Sequence, residues 1–103
     1  MNFERKIKLT IHEMLEFFRQ DEELRQIILA SPEAMGHYKP RNYPGRKIQG
    51  SESGIAARHF WNSPAGTKFR FAVEQKTGIV ARRYKDAVIL FIAEVRSDAG
   101  IDN

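Results

Sequence analysis

Along the first nine residues apolar and polar positions alternate, with Phe3, Arg5, Ile7 and Leu9 on one side and Glu4, Lys6 and Lys8 on the other. This period-2 pattern predicts a half-buried strand. A helix is the rival, because Phe3, Ile7, Ile11, Met14 and Phe18 also fit a 3.6-residue period. Thr10 followed by Glu13 is a capping-box pattern, and Ile11, Met14, Leu15 and Phe18 behind it share one helical face. After Gln20 the phase changes, and Leu24, Ile27 and Ile28 fall opposite Ile11 and Phe18. One straight helix would be apolar nearly all round, so the pattern predicts a break near Asp21. That residue would cap a second short helix, with Glu22 and Glu23 well placed against its dipole. Ser31-Pro32-Glu33 reads as a cap with proline at the first position of one more turn, ended by Gly36.

From His37 to Gly54 Ile48 is almost the only residue to bury, while Pro40, Pro44, Gly45, Gly50 and Gly54 interrupt regular structure, which predicts a long loop over 37–54. Ile55 to Trp61 reads as a strand, and Asn62-Ser63-Pro64-Ala65-Gly66 as a turn. Phe69, Phe71 and Val73 alternate with Lys68, Arg70 and Glu74; with Ile79 to Tyr84 across Lys76-Thr77-Gly78 they read as a β-hairpin. Ala87 to Val95 is the most apolar run and is expected to be a central strand buried on both faces. A helix over 67–95 is the runner-up, and 97–103 reads as a flexible tail. The expected fold is α+β: an N-terminal strand (or helix) and a helical hairpin packed on a mainly antiparallel sheet of about four strands, in a single small domain of 103 residues.

Composition narrows the function classes. The 42% hydrophobic and 29% charged content is that of a globular protein. The absence of cysteine removes disulfides, a thiol nucleophile and thiolate zinc. His12, His37 and His59 lack metal-ligand spacing, no glycine pattern matches a phosphate-loop or dinucleotide fingerprint, and Glu52 and Glu74 stand apart, so neither cofactor nor metal is expected. With no apolar run of membrane-spanning length and no apolar leader, the expectation is a cytoplasmic protein without membrane partners.

Charge changes the picture most. Residues 37–85 hold eleven Lys/Arg against Glu52 and Glu74, a local balance of +9, whereas 1–36 carry −2 and 86–103 carry −3. Cations interleaved with aromatic rings are the composition that clamps phosphates and stacks on bases. In the loop the candidates are Tyr38, Lys39, Arg41, Tyr43, Arg46 and Lys47; beyond it they are Arg58, Trp61, Lys68, Arg70, Arg82, Arg83 and Lys85. The plainer reading is a solvated charged surface with aromatics used for packing. No element carries the cations as a recognition helix would, so the expected partner is nucleic acid, RNA or a single strand preferred.

His37 and His59 are suited by residue type to proton transfer near neutrality, and Tyr84 is a third catalytic candidate. In order of elements and charge, though in no sequence motif, the chain resembles the small toxins of the RelE class. That resemblance implies a metal-independent ribonuclease holding RNA on the basic face of its sheet. A third alternative is a phage or assembly interaction protein docking its basic loop on an acidic protein partner.

Overall fold

Side-chain caps and backbone turns set the frame. The computed structural model describes residues 9–38 and 52–101, together with the backbone of Asn42–Tyr43 and Arg46–Lys47. Among these residues six α-helices form: α1 (Ile11–Gln20), α2 (Glu22–Leu29), α3 (Pro32–Met35), α4 (Glu52–Trp61), α5 (Pro64–Thr77) and α6 (Lys85–Asp98), with a 3-10 turn at Ala81–Arg83. The capping box at Thr10 is complete: its hydroxyl accepts from the Glu13 N–H at 3.1 Å and its own N–H donates to the Glu13 carboxylate at 3.1 Å. Asp21 ends α1 and caps α2, accepting from the Leu24 N–H at 3.1 Å. Ser31 caps α3 with Pro32 behind it. The N-terminal residues 1–8, where strand and helix competed, lie outside the described residues.

The α+β expectation is overturned. Where a sheet was expected, α4, α5 and α6 stand, and the β structure among the described residues is a two-residue antiparallel ladder, Asn42–Tyr43 (β1) with Arg46–Lys47 (β2). The resemblance to the RelE class loses its basis, because the sheet on which it rested is helical.

The physical reason can be read residue by residue. Ser63-Pro64 is the same cap-plus-proline start as Ser31-Pro32: the Ser63 hydroxyl accepts from the Gly66 N–H at 3.1 Å and opens α5, so the expected turn is a helix start. Phe69 and Val73 are buried with Gly66 and Thr77 at helical spacing, but Phe71 is 64% exposed, which breaks the apparent alternation. In the 87–95 run Ala87, Val88, Phe91, Ile92 and Val95 are buried as one broad helical face, joined by Arg96 behind them, while Leu90 is exposed. The expected hairpin partner at 79–84 is the connection between α5 and α6. Gly78 starts it with φ 72, a left-handed conformation available to glycine without a Cβ penalty, which also ends the runner-up helix over 67–95. At the far end, α6 closes on Gly100 (φ 82), with the Ile101 N–H bonded to the Arg96 carbonyl at 2.9 Å and the Gly100 N–H to Ser97 at 3.0 Å. This is a Schellman motif.

Phe18 joins the layers. Its ring centroid lies 5.4 Å from Phe69, 5.9 Å from Tyr84 and 5.6 Å from Phe91, tying α1 to α5 and α6. Burying each such ring contributes about 1.5–3 kcal/mol. Among the described residues one cation lies inside. Arg96 is fully buried and donates to the Ala34 and Gly36 carbonyls at 2.9 and 2.6 Å and to Glu52 at 2.6 Å. It thereby satisfies carbonyls left open at the end of α3 and pins the start of α4 to α6.

Candidate nucleic-acid interface

The structure separates cations that hold the fold from those that do not. Lys76 bridges Asp21 at 2.8 Å and Glu23 at 3.0 Å, Arg19 pairs with Glu16 and Glu94, Arg25 with Asp98, and Arg96 with Glu52. Arg58, Lys68, Arg70, Arg82 and Lys85 have no ion pair with a described acid.

Two of these lie over the chain's only tryptophan and a third shares its groove. Arg58 stands one turn before Trp61 on α4 and lines a groove with it. From α5 the Arg70 guanidinium lies over the indole at 4.8 Å, and from the start of α6 Lys85 Nζ lies 5.5 Å from the ring centre. Trp61 itself is half-buried and meets Tyr84 edge to face at 6.4 Å. The groove runs between α4 and α6 and has a volume of about 430 Å³, within the range of small-ligand clefts. Gly54, Ala57, Arg58 and Trp61 form one wall, Lys85, Val88 and Ile89 the other, and Asn62 stands at the end of α4. Small Gly54 and Ala57 leave the opening, two cations stand in it, and among the described residues no acid lines it.

The other expected site residues are distributed as follows. Tyr38 stacks on His59 at 4.7 Å and 10° between planes, while its hydroxyl donates to the Glu33 carbonyl at 2.8 Å. His37 is exposed and its Nδ1 lies 3.1 Å from Glu52. Partial desolvation pulls the Glu52 carboxyl up, but bonds from His37, Arg96 and the Tyr38 N–H more than offset it and leave it below the ordinary value. Tyr84 is in the core, where burial pushes its phenol up to about 12. Lys68, Arg82 and Arg83 are exposed on α5 and the 3-10 turn. Lys39 and Arg41 lie outside the described residues, and of Tyr43, Arg46 and Lys47 only the backbone ladder is described.

Asn62, Gly54, Val88 and Ile89 were not among the candidates. Their signal is helical spacing: positions 54, 57, 58 and 61 on one side and 85, 88 and 89 on the other are stripes one turn apart. Among the described residues no group of three or more His, Asp or Glu is arranged to hold a metal ion, and no helix is long and apolar enough to cross a membrane. No protein-family model matches the chain, and no curated protein and no solved structure matches it.

Proposed function

We propose that the protein is a cytoplasmic nucleic-acid-binding protein that takes RNA or another single strand on the face built by α4, α5 and the start of α6. The observation that carries this reading is the placement of Arg70 and Lys85, from α5 and α6, over the single indole of Trp61, with Arg58 of α4 lining the same groove. Cations beside an accessible aromatic ring supply both terms of single-strand binding, phosphate neutralisation and base stacking. A groove between two helices accepts an unstacked nucleotide, whereas a duplex keeps its bases inside.

Binding is favoured over cleavage by the placement of the imidazoles. His37 is engaged with Glu52, His59 is stacked on Tyr38, and neither lines the groove. The test is affinity for an unstructured RNA oligomer as a function of salt, with an acidic polypeptide as the competing ligand. An affinity that falls steeply with salt and exceeds that for the polypeptide supports the reading. Tighter binding of the polypeptide would favour the interaction-protein alternative.

A further inference from the structure

We infer that Phe71 is a second stacking platform beside Trp61, so that two neighbouring bases of a single strand lie on the two rings with Arg70 at the phosphate that links them. This inference rests on the single-strand reading above and assigns to it a residue outside the groove.

Among the described residues Phe71 is the most exposed of the large apolar side chains, at 64%, with Leu90 next at 44%. With Phe69 and Val73 turned inward, α5 carries Phe71 outward, and the ring takes no part in the core. Two contacts fix which way that part of α5 faces. Lys76 ties one flank of the helix to Asp21 and Glu23 at the start of α2, while Arg70 lies over the Trp61 indole and marks the other flank. At 100° per residue Phe71 stands on the solvent ridge between these flanks, nearer to Arg70. The Arg70 guanidinium also donates to the Thr67 hydroxyl at 3.1 Å, and Thr67 is one turn before Phe71 on the same stripe of α5. One guanidinium therefore reaches from the indole to the stripe that carries the second ring. A cation between two solvent-reaching rings repeats the order of base, phosphate and base along a strand, the arrangement by which single strands are held. Charge on α5 gives the strand a direction. Lys68, exposed one turn before Phe71, attracts the next phosphate, whereas Glu74, exposed one turn beyond, repels it. Two cations next to the ring, neither with an ion pair to a described acid, suit a strand of phosphates and aromatic bases better than an apolar protein surface.

The experiment compares the parent with Phe71→Ala, Phe71→Tyr and Phe71→Leu by fluorescence anisotropy of a labelled uridylate oligomer and of an abasic ribose-phosphate oligomer of equal length, at two salt concentrations. Phe71→Ala should bind the uridylate oligomer about tenfold more weakly at both salts, because a stacked base is lost and no phosphate contact is. Its affinity for the abasic oligomer should equal that of the parent. Phe71→Tyr should keep the parental affinity, whereas Phe71→Leu, apolar but without a flat ring, should resemble the alanine variant. The thermal melt of Phe71→Ala should match the parent, since the side chain lies outside the core. Unchanged uridylate affinity in Phe71→Ala, an equal loss on both oligomers, full affinity in Phe71→Leu or a clearly lowered melt would each overturn the platform while leaving phosphate binding intact. A parent that binds neither oligomer would instead remove the single-strand reading itself.

Discussion

The buried guanidinium of Arg96 lies 2.6 Å from the carboxylate of Glu52, so the last turns of α6 hold the first turn of α4. The same side chain caps the carbonyls of Ala34 and Gly36. Replacing it with alanine leaves those acceptors and the carboxylate without their donor and opens a cavity. Arg96→Ala should therefore cost about 3 kcal/mol or more, lowering the melting temperature by roughly 10–20 °C. Glu52→Gln keeps an acceptor for Arg96 and should cost less. A melt of Arg96→Ala within a few degrees of the parent would contradict this role.

Gly66 and Gly78 should respond differently to alanine. A Cβ at Gly66 would lie 2.0 Å from the Phe60 carbonyl oxygen, so the end of α4 and the start of α5 would be forced apart. That should destabilise by about 2–3 kcal/mol. At Gly78 there is open space but φ is 72, and the cost should be about 1 kcal/mol, from backbone conformation alone. Urea unfolding of the two variants gives the comparison.

Acid should weaken the fold through Asp21. Burial raises its carboxyl, but the bonds from Lys76 and the Leu24 N–H outweigh it and leave it below the ordinary aspartate range. A carboxyl lowered in the folded state contributes stability that is present above the unfolded value and lost as pH falls through the folded one. The melting temperature should decline below about pH 4, and Asp21→Asn should decline less steeply over that window. At neutral pH Asp21→Ala should cost about 1 kcal/mol through the lost cap of α2. A decline in Asp21→Asn as steep as in the parent would remove this source.

Phe91→Ala should cost about 3–5 kcal/mol, because the ring is buried against Phe18 at the centre of the core. The burial of this residue is legible in the sequence, as the apolar run 87–95 requires it; the element that buries it is not. Seven apolar residues in succession, 87–93, with Val95 beyond Glu94, serve a strand covered on both faces or a helix covered on a wide one, and periodicity alone does not choose. The first three helices are legible because Thr10, Asp21 and Ser31 carry their caps in the sequence. Ser63 carries the same signal, but the alternation of Phe69, Phe71 and Val73 competes with it, and the conflict is resolved by exposing Phe71 to solvent. The candidate site follows the same division. Arg58, Arg70, Lys85 and Trp61 stand out by residue type, yet their convergence depends on helical spacing and is hidden when these segments are read as strands. His37 and Tyr84 stand out by residue type, and their neighbours, Glu52 for the one and the core for the other, are not legible in the sequence.

The salt dependence of single-strand RNA binding, compared between the parent and a variant in which Arg58, Arg70 and Lys85 are all alanine, tests the proposed interface most directly. If roughly four to six phosphates are neutralised, the slope of log K against log salt should be about −3 to −4 for the parent, and removal of three contacts should flatten it by about 2. Circular dichroism of the variant should match the parent, since these side chains lie outside the core. A flat response in the parent, or an unchanged slope in a folded variant, would contradict the assignment of these three residues to the interface.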